Sequence, residues 1–216
     1  FGDAGLVPQL INKIKGFDLV HLHYPFYGGA EWVCFADVPI VVTYHMDAQA
    51  IGVKGAVQKI YDRYWPQRIF KKAKKIIAVD WERFNQSRFS PIIPQDKVIC
   101  IPNAVDTDIF GPHDVNLSGL GLEKISIKKR LLFVGNPMPL KRLDLLLQSI
   151  NEINDIEIAL IVVGGGYEIE KYKKMAGNMN IGESVFFVGP CYDDNKLARY
   201  YNAANFVVIP SDYESF

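Results

Sequence analysis

Little in this sequence points to a nucleic-acid partner, a disulfide scaffold or a membrane span. The 24 Lys and Arg are matched by 24 Asp and Glu, so no global positive charge is available to hold a polyanion, and no nucleic-acid partner is expected. Cysteine is scarce. Cys34, Cys100 and Cys191 are far apart, odd in number and form no C-x-x-C pair, which argues against a disulfide framework or a zinc site. Reduced, buried thiols in a cytoplasmic protein are the expectation for all three. No apolar run approaches the ~18–20 residues a spanning helix needs, and no basic stretch leads into a signal-like apolar segment. Internal repeats and low-complexity tracts are absent too. The chain starts at Phe1 and stops at Phe216, just after a motif-like stretch, so both ends read as cut.

What is present is a chain of 216 residues, 49% hydrophobic and 22% charged, rich enough in apolar residues to bury a core. Short β-rich runs at 17–23, 39–44, 75–79, 97–101, 130–134, 157–163, 184–188 and 205–209 lack strict apolar–polar alternation. Strands covered on both faces read that way. Helical patterns at 54–72, 140–150, 167–175 and 193–203 lie between them, and Pro66 is expected to kink or interrupt the first. Strand, helix, strand, repeated, predicts right-handed βαβ units and a doubly wound α/β fold. The rhythm breaks at 111–128, rich in Gly, Ser and charge. The expected organisation is an N-terminal Rossmann-like domain over 1–110, a junction over 111–128 and a second Rossmann-like domain over 129–216.

Open α/β sheets bind ligands at the carboxyl ends of their strands, and the polar residues gather in those loops. His21 and His23 are expected to face opposite sides of their strand, one of them packing. His45, past a strand end beside Thr43, reads as a site residue. His-x-His with His45 completes no recognisable ligand spacing, so no metal is expected. Gly135, with a helix beginning near Pro139, reads as a phosphate site, because helix N-termini present free N–H groups and partial positive charge. Lys141 and Arg142 in that first turn oppose the helix dipole, which favours an anionic ligand beside them. Between Lys54 and Lys75, eight Lys and Arg accompany Asp62 as the one acid, with Trp65, Ile69 and Phe70 interleaved. That pattern suits either a solvated helix face or a surface for an anionic membrane.

Taken in order, DLVHLHYPFYGGAEW, VVTYHMDA, AKKIIAVD, VICIPNAVDTDIF, LLFVGNPMPLKRLDLLL, IVVGGGYE, VFFVGP and LARYYNAANFVVIPSDYESF resemble the retaining glycosyltransferases of family 4. The resemblance implies the GT-B architecture: two Rossmann-like domains across a cleft, each a mostly parallel sheet flanked by helices, and both incomplete here. It implies sugar transfer from a nucleotide-sugar donor to a glycan or lipid-linked acceptor, with no cofactor and no metal. It assigns His45 and Glu214 to catalysis, the histidine near the transferred sugar and the glutamate as the first of an E-x7-E element. Gly135, Asn136, Lys141, Arg142, Gly164, Gly165, Gly189, Ser211 and Glu214 fall on the donor side, Lys141 at the diphosphate and Gly189 near the base. His23, Tyr24 and Asp47 fall on the acceptor side. The cytoplasm is the implied location, with the basic segment available to the inner face of the membrane.

The chemistry suits that assignment. Departure of a diphosphate from a sugar is eased by nearby cations and helix N-terminal amides, and a carboxylate holds sugar hydroxyls through charge-assisted hydrogen bonds. No D-x-D metal motif stands at a strand end. The sequence also departs from the family pattern. Asn136 stands where arginine is usual, so one of the two usual phosphate cations is absent, and compensation by Arg142 is left open. Ala104 replaces a glycine, and Asp80 stands where serine is common. The second glutamate would fall at position 222, past Phe216, and no glycine-rich acceptor loop precedes the first strand, so an internal piece of a longer transferase is expected. Two alternatives stay open: a GT-B sugar-nucleotide epimerase, and a non-catalytic sugar-nucleotide-binding subunit.

Overall fold

Every strand pairing in the computed structural model is parallel. The structure describes residues 5–48, 52–125, 129–153 and 157–214. They form two compact units, one ending at Ala104 and one spanning Val105–Glu214. This differs from the expected boundaries. The stretch taken as a junction, 111–128, belongs to the second unit as far as it is described, and 126–128 lie outside the described residues. Its irregularly spaced Leu120, Leu122 and Ile125 are buried against the second sheet, and Asn202 Nδ2 donates to Gly111 O at 3.0 Å. Apolar residues without a period read as linker in the sequence, yet here they pack.

The first unit holds four strands in sequential order: β1 (Val20–Tyr24), β2 (Ile40–Tyr44), β3 (Lys75–Ala78) and β4 (Val98–Cys100). Two short helices, α1 (Leu10–Lys13) and α2 (Ala30–Val33), precede the long α3 (Gly52–Lys72), and α4 (Trp81–Gln86) follows β3. One sheet face supplies Leu22, Tyr24, Ile40, Val42, Tyr44, Ile76 and Ala78 to a core completed by Ile69 and Phe70 of α3 and Phe84 of α4. The other face is covered only in part, and His21, His23 and Ile99 on it are exposed. Coverage of both faces, expected from the lack of alternation, does not hold for this sheet among the described residues.

Three local details follow from capping and position. α3 runs through Pro66, which is buried within it, and is not interrupted there. Lys97 Nζ closes its C-terminal end, donating to Lys71 O at 2.7 Å and Ala73 O at 2.8 Å, where a cation satisfies the last carbonyls and meets the negative end of the helix dipole. Asp80 caps α4 by accepting from Arg83 N at 2.7 Å, a role serine fills equally well. The cysteines are not all buried: Cys34 and Cys191 are half-buried and Cys100 is exposed, because β4 is the edge of its sheet.

The second unit pairs β5 (Lys129–Val134), β6 (Ile158–Val163), β7 (Val185–Gly189) and β8 (Phe206–Val207) in the order β7-β6-β5-β8. Numbered within the unit, that is 3-2-1-4, the start of the doubly wound order, whose reversal point lies between β5 and β8. Helices α5 (Leu143–Ile153), α6 (Ile169–Asn178) and α7 (Asp194–Ala203) connect the strands. Cores lie on both faces: Leu143, Leu146, Leu147, Ile150 and Tyr172 on one, Tyr200 and Ala203 with Leu120 and Leu122 on the other. β8 is two residues long rather than the expected five, and both are exposed.

Candidate active site

In the first unit, the carboxyl ends of β1 and β2 gather three imidazoles. Residues two apart on a strand share a face, so His21 and His23 point to the same side, correcting the expectation of opposite sides. Their ring centroids are 4.6 Å apart. His21 Nε2 lies 2.7 Å from Thr43 Oγ1, and His23 Nδ1 lies 2.8 Å from His45 Nε2. The His45 backbone N–H donates to Tyr24 O at 3.0 Å. Burial first, then His23 and His21, pull the His45 imidazole below its ordinary value.

Two acceptor-side expectations change. Tyr24 is 0% exposed, because its position on β1 faces the helices, and its ring packs edge-on against Phe70 and Phe89. Burial drives its hydroxyl well above the usual phenol range, and so placed it cannot meet a soluble ligand. Asp47 is half-buried, and its two oxygens already accept from the Tyr44 hydroxyl and from Arg88 N. Arg88 in turn pairs with Asp62 at 2.9 Å and donates to Ala48 O at 2.8 Å. Sequence reasoning did not select Arg88. Its nearest clue was the position of Asp62 as the one acid of a basic helix. His23 remains exposed beside His45.

In the second unit, three glycines stand side by side where β5, β6 and β7 end. Gly135 N donates to Val163 O and Gly164 N to Gly189 O, both at 2.9 Å. Gly164, at φ +155, has no room for a Cβ, which would overlap Gly135 O. A Cβ on Gly166 would overlap the Asn136 carboxamide, and one on Gly165 would crowd Pro190. The glycine turn therefore packs backbone against backbone, leaving main chain as the surface at the strand ends.

Beside it, at the reversal point, the segment after β8 meets the segment after β5. Lys141 Nζ lies 2.7 Å from both carboxylate oxygens of Glu214. Arg142 bonds Asp212 at 2.9 Å and Asp144 at 3.4 Å. Hydrogen bonds to Asp212 and then Asp144 raise the guanidinium further above its ordinary value. Asp212 N also donates to Leu140 O at 3.0 Å, and Ser211 in the same segment is half-buried. The helix starts later than expected. Pro139–Lys141 form a 3-10 turn, Arg142 takes a left-handed conformation (φ 50, ψ 39), and α5 begins at Leu143. Both cations thus precede the helix, and the first-turn acid is Asp144, as the dipole favours. Arg142, engaged by two carboxylates, is not a free substitute for an arginine at Asn136.

A D-x-D sequence does occur, at Asp106–Thr107–Asp108, on the exposed loop after β4, with Asp106 Oδ1 accepting from Asp108 N at 2.9 Å. Among the described residues, no group of three His, Cys, Asp or Glu is placed to hold a metal ion.

Comparison with known proteins decides the family. Residues 2–109 match the family described as Glycosyltransferase Family 4, and residues 122–216 match Glycosyl transferases group 1. The chain belongs to glycosyltransferase family 4. Its relatives include the D-inositol 3-phosphate glycosyltransferase of Xylanimonas cellulosilytica, 28% identical over 99% of this chain and 55% of that protein. The corresponding Thermomonospora curvata protein is 30% identical over 93% of this chain and 52% of its own length. The family 4 chain thus spans about half the length of the curated relatives it matches. Among solved structures, sucrose-phosphate synthase from Thermosynechococcus elongatus aligns with a TM-score of 0.75 at 24% identity, over 97% of this chain and 56% of that one. Anabaena HepE in complex with UDP-glucose aligns with a TM-score of 0.76 at 15% identity, over 97% and 57%. These likenesses show the fold, which is GT-B.

Proposed function

We propose that this family 4 chain forms part of a retaining glycosyltransferase that moves a sugar from a nucleotide-sugar donor to a glycan or lipid-linked acceptor without a divalent metal. The observation that carries the reading is the Lys141–Glu214 pair at the strand-order reversal point, beside the glycine turn. Lys141 is the cation for the donor diphosphate, and the Gly135, Gly164 and Gly189 backbone lets a nucleotide approach closely. Without donor, Lys141 and Glu214 neutralise one another. On binding, the lysine exchanges the carboxylate for phosphate oxygens, and Glu214 is released to the hydroxyls of the sugar. The lysine then stabilises the charge that builds on the leaving diphosphate, and the family resemblance assigns His45 to the transferred sugar. The likeness to a protein solved with UDP-glucose favours a uridine donor as the first to try.

The acceptor reading gains a surface from α3. Val53, Val57, Ile60 and Tyr64 are all exposed and recur at helical spacing on one face. Lys54, Lys59, Arg63 and Lys71 are exposed around them. Lys72 is excluded from that surface, since it turns inward to Cys34 O at 2.8 Å and Ala36 O. Apolar residues rimmed by cations suit an anionic lipid surface, which would bring the enzyme to a lipid-linked acceptor. No helix among the described residues is long and apolar enough to cross a membrane.

The test is a thermal-shift screen of UDP-, GDP- and ADP-sugars on the full-length gene product in EDTA. A donor at about 100 times its dissociation constant should stabilise the protein by about 2.7 kcal/mol. No shift with any nucleotide sugar would refute the reading. Conversion of the donor without acceptor would favour an epimerase, and binding without any turnover would favour a non-catalytic subunit.

A further inference from the structure

The contact between His23 and His45 has a chemistry of its own. His23 Nδ1 and His45 Nε2 are 2.8 Å apart, with ring planes 16° apart. Two nitrogens at that separation share one proton, one donating and the other accepting. Protonating both rings leaves two donors face to face and two cations in contact, which both hydrogen bonding and Coulomb repulsion oppose. The charged groups acting on His45 are His23 and His21, cations like itself when protonated. Asp47, two residues on, is engaged by the Tyr44 hydroxyl and Arg88 N. His21 is tied separately to Thr43.

We propose that His23 is a positioning residue for His45: their ring hydrogen bond commits His45 Nε2 to His23 and leaves Nδ1 as the nitrogen presented to a ligand. The backbone bond from His45 N to Tyr24 O anchors the residue to β1, and the ring bond to His23 fixes the imidazole to the same strand. A group tied at both points presents one defined nitrogen.

The experiment is an NMR titration of the His45 ring in the wild-type protein, His23→Asn and His23→Phe. His23 is exposed, so both variants should fold. In the wild type, His45 Nε2 should be hydrogen-bonded and the ring pKa lowered. In both variants, the His45 value should rise toward that of an ordinary imidazole, because a cationic neighbour is gone. Asparagine keeps a hydrogen-bonding atom near the Nδ1 position and phenylalanine does not. His23→Asn should therefore keep His45 Nε2 hydrogen-bonded, and His23→Phe should lose that bond. An unchanged His45 titration in both variants would overturn the proposal. The kinetic arm alone rests on the transferase reading. There His23→Phe should lower kcat roughly tenfold to a hundredfold, as for a misplaced reacting group, with donor KM little changed and His23→Asn largely restoring the rate. Failure of wild-type transfer, with the His45 shift between wild type and variants observed, would count against the transferase reading. Normal transfer by His23→Phe would count against the positioning role.

Discussion

Removing the Lys141 ammonium separates a structural ion pair from a ligand site. Lys141 and Glu214 are partly exposed, with side chains 31% and 27% accessible. Pairs of that kind contribute roughly 0–1 kcal/mol to stability, so Lys141→Ala should cost little in unfolding free energy. Donor binding is a different matter, because a hydrogen bond to a charged group contributes about 1.5–3 kcal/mol, which is roughly a 10–150-fold change in dissociation constant. At a donor concentration about 100 times the wild-type dissociation constant, stabilisation of about 2.7 kcal/mol should fall to about 0.3–1.4 kcal/mol in the variant. Glu214→Gln makes the contrast. It breaks the same ion pair but leaves the cation unneutralised, so a nucleoside diphosphate without its sugar should bind at least as tightly as to the wild type. Calorimetry or thermal shift on the full-length gene product reads both. Equal losses of nucleoside diphosphate affinity in Lys141→Ala and Glu214→Gln would show that the pair merely braces the loop, and would refute the assignment of Lys141 to the phosphates.

Other consequences follow from named contacts. Gly164→Ala forces a Cβ against Gly135 O at a φ of +155 and should cost roughly 1–3 kcal/mol of stability, read by urea denaturation; an unchanged midpoint would mean that the glycine turn is not tightly packed. His45 has its folded-state pKa lowered by burial and by its histidine neighbours, so the unfolded chain binds the proton more readily. Its contribution to stability is therefore complete above about pH 6.5, the ordinary imidazole value, and is lost as pH falls below that and through the lower folded value. Urea midpoints from pH 7.5 to 5.5 should fall more steeply for wild type than for His45→Gln, and parallel lines would contradict this. On α3, Ile60→Glu should abolish co-sedimentation with anionic vesicles while neutral vesicles bind neither protein; undiminished binding would place the lipid surface elsewhere.

The parallel sheets were legible because β-rich runs are interspersed with helical periods, and each of the eight runs overlaps a strand. α2 and α4 were not legible, since four and six residues are too few to show a 3.6-residue period. The missed boundary has a different cause: Leu120, Leu122 and Ile125 bury against a sheet assembled from distant sequence, a tertiary effect with no local signature. The glycine turn and the basic residues at the strand ends were legible as site candidates because both have direct physical meaning. Their pairing was not, because Lys141 and Glu214 are 73 positions apart and meet only through the 3-2-1-4 strand order. Tyr24 was misread for want of strand phase. Its neighbours His21 and His23 share the open face, and Tyr24 takes the other.

The central claim is tested most directly by the anomeric configuration of the product. The full-length gene product, incubated in EDTA with the nucleotide sugar that stabilises it and a glycan or lipid-linked acceptor, should yield a glycoside whose anomeric proton coupling in NMR matches that of the donor sugar. Lys141→Ala should slow its formation. Inverted configuration, or formation only when a divalent metal is restored, would contradict the account.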